Sequence, residues 1–554
     1  MMFFRKASAN LLGRFRFSPQ SLTAAAPLQR RSPILLSDAG QCRFSSQIGS
    51  GGYFSDSFRW IFLFGPAAAI LGVNVSPALA EEVSTPATTG IDGVDIEISG
   101  LRKIEDGSVI SNIHTSKWRV FTDSGRDLFL QGKFEEAEKL FLSALREAKE
   151  GFGDRDPHVA SAYNNLAELY RVKKAFNKAE PMYLEAIIIL EESFGQEDVR
   201  VAAALHNLGQ FYLMQRKLEQ ARGVYERALK IKRRFLGEAH PDYADTMYHL
   251  GTVLYLQGKY KDSEALIRGS IQILEDGGLG ESMICIKRMR HLAEIYIKSD
   301  RIEEAENVLR KILHIMELAK GWNSLETVIA AERLALTLQS LGNLKEAQEL
   351  LERCLDARRA LLPEDHIQIA ANLLHLARVK MLDSNKLKKS NAYQVRAELD
   401  MTKDLLSKSI SVARGHLVPS VKEKGNKQSY GESMTTVRSR QSALIILLQS
   451  LDALSLLEMK RLELEESENP YNSEAESALR GCISAYKEFV TEKSLSDAPG
   501  VKAEYLLCLK HLVDLLTDNK TSSKDRSSNA SLQELKDEIK RVEGEISKKG
   551  GRRS

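Results

Sequence analysis

From about residue 118 the apolar positions fall at helical spacing, and a small residue recurs among them at a fixed interval. Ala167, Gly209, Gly251, Ala293, Ala335 and Ala377 stand in NLAELY, NLGQFY, HLGTVLY, HLAEIY, RLALTL and HLARVK, each 42 residues after the last. One step back lies Gly125 in DSGRDLFL, so seven units share a frame without an insertion. Leu166, Leu208, Leu250, Leu292, Leu334 and Leu376 precede the small residues. Twelve residues after the small position stand Ala137, Ala179, Ala221, Ser263, Ala305 and Ala347. Seven further on stand Ala144, Ala186, Ala228, Ser270, Ile312 and Cys354. A bulky residue opens each second segment: Phe134, Phe176, Leu218, Tyr260, Ile302 or Leu344. Two antiparallel helices approach closely only where small side chains meet, with large ones a turn away filling the flanks. The pattern therefore predicts helix hairpins, and a hairpin that cannot bury its apolar face alone must stack on its neighbours. The fold class expected is all-α, a right-handed solenoid of helix hairpins with divergent C-terminal helices.

These columns are the signature of tetratricopeptide (TPR) repeats, and the chain resembles that superfamily over about 118–415. The 42-residue period and the junctions FGDRDPHVA, FGQEDVRVA and LGEAHPDYA are similar to the kinesin-light-chain type. No long heptad coiled coil precedes the repeats, which argues against a motor subunit. The whole chain looks more like an organelle-targeted plant TPR protein.

The ends of the chain depart from the repeat. Residues 1–37 hold no acid but carry Arg5, Lys6, Arg14, Arg16, Arg30 and Arg31 among serines and alanines. That composition reads as a transit peptide, and QCRFSSQ resembles a mitochondrial processing site, so residues 1–45 are assigned to targeting. Trp60 to Ala80 carries no charge over about twenty residues, enough for one membrane-spanning helix. Arg59 and the pair Glu81 and Glu82 flank it. It reads either as a retained anchor, within a spacer of 46–80, or as a second sorting signal cut after Ala80. Residues 81–117 read as a linker. The seventh unit is degraded, its second helix delayed to about 391–414. A loop is expected at 416–440, divergent helices over 441–520, and a charged helix with a basic tail over 521–554. The compartment expected is the mitochondrion, at its inner membrane if the anchor is retained, with the chloroplast thylakoid as the alternative.

Composition narrows the function. Apolar residues make up 43% and charged ones 28% of the 554, which fits a well-packed protein. A net charge of +3 implies no large nucleic-acid footprint. Cys42, Cys285, Cys354, Cys482 and Cys508 show no C-x-x-C or paired spacing, and the last four read as buried thiols rather than a disulfide frame or zinc site. No phosphate-binding, nucleophile-elbow, zincin or dinucleotide motif occurs, so no catalytic residue and no cofactor are assigned.

The stretch HPDYADTMYHLG, residues 240–251, concentrates candidate chemistry. His240-Pro241 sits at a unit junction, where proline suits the first turn of a helix, so the pair reads as a helix-start device. Asp245 and His249 lie four apart and share a helix face, but no third ligand appears at convincing spacing and no metal is assigned. His249 belongs to a polar column two residues before the small one: Asp123, Asn165, Asn207, His249, His291, Arg333 and His375. The resemblance implies that this helix lines a concave groove, and that matching asparagines hold the backbone of an extended peptide. Asn164, His206, Lys287 and Arg290 flank the column, and its basic middle implies acidic partner segments. The function expected is a non-enzymatic scaffold that binds protein partners, with membrane association through residues 60–80 and no nucleic acid. Two alternatives stand beside it: an enzyme or regulator working through the divergent C-terminal helices, or a purely structural homo-oligomer.

Overall fold

The computed structural model describes residues 113–384, 392–418, 434–464, 473–489, 498–519 and 526–550. Among the described residues there are helices and no strands. Seven hairpins follow one another. The first four are α1 (Ile113–Leu130) with α2 (Phe134–Phe152), α3 (Pro157–Val172) with α4 (Phe176–Phe194), α5 (Val199–Met214) with α6 (Leu218–Leu236), and α7 (Pro241–Leu256) with α8 (Tyr260–Asp276). The next three are α9 (Met283–Lys298) with α10 (Ile302–Lys320), α11 (Leu325–Leu341) with α12 (Leu344–Leu361), and α13 (Ile367–Ser384) with α14 (Ala392–Leu417). Each hairpin packs its second helix against the first helix of the next. The anchor and transit-peptide expectations for residues 1–80 lie outside the described residues, as does most of the linker.

The starts and stops of the helices repeat with the frame. Asp156, Asp198, His240, Ser282, Ser324 and His366 stand 42 apart, one at each junction. Each presents a side-chain acceptor to an amide of the first turn. Such a cap satisfies one of the otherwise unpartnered first-turn donors. His240 does this through Nδ1, which accepts from the Asp242 amide at 3.1 Å, with Pro241 opening the helix. The helix-start reading of His240-Pro241 thus extends to the imidazole itself. Within the hairpins, Gly132, Lys174, Arg216, Gly258, Asp300 and Gly342 share a second column, all with φ between 59° and 82°. Glycine adopts this left-handed conformation freely, whereas Lys174, Arg216 and Asp300 hold it against their Cβ atoms.

The small columns lie where the helices cross. Ala137, Ala179, Ala221, Ser263, Ala305 and Ala347 are fully buried. A Cβ on Gly209 would lie 2.7 Å from the Tyr225 ring, and one on Gly251 would lie 2.8 Å from Ile267 Cγ1. Ser263 Oγ donates to the Gly251 carbonyl at 2.7 Å, clasping the fourth hairpin at its tightest point. A continuous core from Tyr248 to Val379 runs through the later units. It fits the expectation that the units bury their faces by stacking.

Four further helices follow among the described residues: α15 (Met434–Leu464), α16 (Ser473–Phe489), α17 (Pro499–Asn519) and α18 (Arg526–Gly550). α15 packs on both α13 and α14, so it extends the stack. It begins inside the segment read as a loop over 416–440. Its stretch Ser439–Leu464 is long and apolar enough to cross a membrane, but most of it is buried among neighbouring helices, as in a core helix. One expectation is corrected here. Cys482 and Cys508 form a disulfide across 26 residues, while Cys285 and Cys354 are buried free thiols. The bonded pair sits on α16 and α17, and both sulfurs face the Leu448 carbonyl of α15. Packing of three helices brings them together, and no local spacing signals it.

Candidate functional site

The first helices of successive units lie side by side, α3 against α5 and α5 against α7. Their shared face carries polar side chains that reach across units. Asn207 Nδ2 donates to Asn164 Oδ1 at 3.0 Å. Arg288 Nη2 donates to Asp245 Oδ1 at 3.0 Å. Thr252 and His291 approach at 3.5 Å, and His291 stands edge-on to the rings of Tyr248 and Tyr255. The partners are 39 to 43 residues apart, one unit away.

The candidate column does not lie evenly at the surface. Asp123 and Arg333 are exposed, and Asn207, His249, His291 and His375 are half-buried. Asn165 is only 3% exposed, and His206 beside the column is 6% exposed. Asn165 and His206 are thus buried rather than open to a groove. The face of α3 that carries Asn165 is closed by the adjoining units, so an Asn165→Ala change would disturb packing as well as any ligand. The basic middle is present: Lys287 and Arg333 are exposed and Arg290 is half-buried. Lys287 Nζ lies 5.9 Å from the centre of the Tyr248 ring. Burial presses the pKa of Arg290 down, with Arg333 acting in the same direction and Glu326 against it. Arg290 Nε is buried and finds no hydrogen-bond partner among the described residues.

At the centre of this face the structure assembles what the sequence left apart. His206 comes from α5, and Asp245 and His249 from α7. His206 Nε2 lies 3.4 Å and His249 Nε2 3.8 Å from Asp245 Oδ2. Lys232 on α6 donates to Thr246 Oγ1 at 3.0 Å and to the Asp242 carbonyl at 3.2 Å. Tyr225 stacks on His249 at 5.9 Å and stands edge-on to His206 at 5.5 Å. Burial pushes His206 well below the usual histidine range, with Lys232 acting in the same direction. Burial also lowers His249, to about 4, although Asp245 opposes the shift. Asp245 keeps 43% of its side-chain exposure, and although desolvation would raise it, the fields of His249, His206, Arg288 and Lys232 hold the carboxyl well below its ordinary range. Of this group the sequence reading singled out Asp245, His249 and His206, and missed Tyr225, Lys232 and Arg288. Residues on neighbouring first helices at offsets near 42 carry the only signal for such contacts.

Other buried charges are structural. Arg171 donates to Glu168 Oε2 through Nη2 at 2.6 Å, and Tyr183 donates to the same carboxylate. Arg358 donates to both oxygens of Glu332 and to Asn372 Oδ1. Each ties a second helix to a first one inside the stack.

The tetratricopeptide-repeat family matches residues 119–192, 200–276 and 282–360. The helices over these residues are therefore tetratricopeptide repeats, a fold typical of scaffolds for protein–protein interaction. Among solved structures, the TPR-like repeats of a putative kinesin light chain from Podosopora anserina are 19% identical. That match covers 37% of this chain and 98% of the other, with a TM-score of 0.35. The apo form of RapI is 13% identical, covering 54% of this chain and 98% of the other, with a TM-score of 0.36. A signal-transduction ATPase with a tetratricopeptide-repeat sensor, from Pyrococcus horikoshii, is 16% identical. It covers 52% of this chain and 41% of the other, with a TM-score of 0.42. No curated protein matches the chain.

Proposed function

We propose that the chain is a non-enzymatic mitochondrial scaffold whose first-helix face binds extended, acidic protein segments. The observation that carries this reading is the basic middle of this face, where exposed Lys287 and Arg333 accompany half-buried Arg290, whose Nε has no hydrogen-bond partner among the described residues. An acidic segment offers such a basic surface its complementary charge. Asn207 and His291 add polar groups that suit a backbone without its own partners. A hydrogen bond contributes roughly 0.5–1.5 kcal/mol net, so side-chain pairing with the arginines must supply much of the affinity.

The test is affinity capture from isolated mitochondria with wild type and with Arg290→Glu/Arg333→Glu. Capture should fall in the variant and weaken at high salt in wild type. Capture unchanged by both conditions moves the binding surface to the helices after 434. The compartment is tested separately. Residues 1–59 fused to a fluorescent protein should enter mitochondria, and charge reversal at Arg14 and Arg16 should stop entry. Import into chloroplasts alone would replace the mitochondrial assignment. Carbonate extraction then separates a retained anchor at 60–80, which stays with the membrane, from a cut signal. The Cys482–Cys508 disulfide supports an oxidising side of the organelle membranes for the repeat array.

A further inference from the structure

Three ligand atoms converge between α5 and α7: His206 Nε2, His249 Nε2 and one oxygen of Asp245, all within 4.8 Å of one another. The hydrogen bonds around His206 determine which of its nitrogens carries the proton. Thr246 Oγ1 donates its only hydrogen to the Asp242 carbonyl at 3.0 Å and accepts from Lys232. His206 Nδ1, 3.1 Å from the same hydroxyl, must therefore be the donor there. That leaves Nε2 of His206 as a lone pair pointing toward the carboxylate. The Gln210 amide nitrogen lies 2.9 Å from His206 Nε2 and 3.5 Å from His249 Nε2, a donor facing both rings. Asp245 is oriented in turn: Arg288 takes Oδ1, leaving Oδ2 toward the imidazoles. The His206 Nε2 lone pair and the Asp245 Oδ2 atom, 3.4 Å apart, repel each other unless something positive lies between them. The Gln210 amide only partly meets that need. Tyr225, fully buried and with no partner for its hydroxyl, stacks on His249 and backs the cluster.

We propose that His206, Asp245 and His249 form a binding site for a divalent late transition-metal ion, with zinc as its probe. The donor set is two imidazole nitrogens and one carboxylate, which suits such ions. Hard ions such as Ca2+ and Mg2+ require several oxygen ligands, which this donor set does not supply. The outer contacts have the form that metal-ligating histidines and carboxylates take. His206 Nδ1 is fixed by Thr246, and Asp245 by Arg288. Asp245 keeps 43% and His249 20% of side-chain exposure, so the ion reaches the site from the first-helix face. Three protein ligands leave coordination positions open on that side. Gln210 competes with the ion, because its amide occupies the same lone pairs.

The test uses the full chain without a histidine tag, titrated with Zn2+ by calorimetry and with Co2+ by visible absorption. One equivalent should bind, and Zn2+ should raise the melting temperature. Asp245→Asn and His249→Asn should each weaken binding by at least about tenfold, with folding checked by circular dichroism. Gln210→Ala should tighten it, an effect that no loss of folding can imitate. Absence of stoichiometric uptake overturns the proposal, and so does uptake indifferent to both ligand variants and to Gln210→Ala.

Discussion

At the residue scale the array is governed by two columns of opposite demand. Where helices cross there is no room: a Cβ at Gly251 would already lie 2.8 Å from Ile267 Cγ1 and 3.3 Å from the Ser263 carbonyl oxygen. Gly251→Leu should therefore destabilise the protein by about 1–3 kcal/mol through overpacking, read as a lower urea midpoint. An unchanged midpoint would mean that this crossing is looser than the structure shows. In the hairpin turns the demand is conformational. Arg216 holds a φ of 63° in a column that glycine occupies in three other units. The left-handed conformation costs a non-glycine residue roughly 1–2 kcal/mol, partly offset by glycine's greater freedom in the unfolded chain. Arg216→Gly should raise the melting temperature, and a fall would show that the arginine side chain makes contacts worth more than the strain.

At the scale of the element, each first helix is opened by one side chain. Asp198 accepts from the Arg200 amide at 2.8 Å, and its carboxylate also receives the Arg200 guanidinium. Asp198→Ala should cost about 1 kcal/mol, the usual worth of an N-cap, in thermal unfolding. Asp198→Ser should recover most of it, because the cap needs an oxygen and not a charge. The C-terminal helices are held differently. The bond between Cys482 and Cys508 closes a loop of 26 residues, and a loop of that size restricts the unfolded chain by roughly 3 kcal/mol. Reduction, or Cys482→Ala/Cys508→Ala, should lower the unfolding temperature of this end while leaving residues 113–384 little changed. Hydrogen exchange resolved along the chain separates the two regions.

At the scale of the whole molecule, histidines on several first helices respond to acid together. Burial lowers the pKa of His206, His249, His291 and His375, that of His249 from 6.5 to about 4. Below pH 6.5 the unfolded chain takes up protons that the folded array refuses, so the unfolded state binds more protons. Stability therefore falls as pH drops from about 6.5 toward 4. His511 works in the opposite sense. Burial lowers its pKa, but the bond to Asp452 outweighs this and raises it, so its contribution is full below 6.5 and fades as pH rises through the raised value. Urea midpoints measured across this range should fall on acidification, and His249→Asn should reduce the slope. A flat profile would mean that these rings are better hydrated than their burial indicates.

The sequence by itself determined the helices, their hairpin pairing, the 42-residue frame and the residues at the crossings. All of these rest on short-range relations: periodicity along one helix, a cap beside its first turn, and small residues facing each other twelve positions apart. The polar column was legible as a column, since Asp123 to His375 keep one register. How far each member sinks was not legible. Asn165 is closed in while Arg333 stays open, because the twist between units decides how much of each face the next one covers. The meeting of His206 with Asp245 and His249 is likewise set by how α5 and α7 lie against each other. The Cys482–Cys508 bond depends on three packed helices in a region that has left the repeat frame. Periodicity places residues on a face of their own helix, and only the packing between units decides what that face meets.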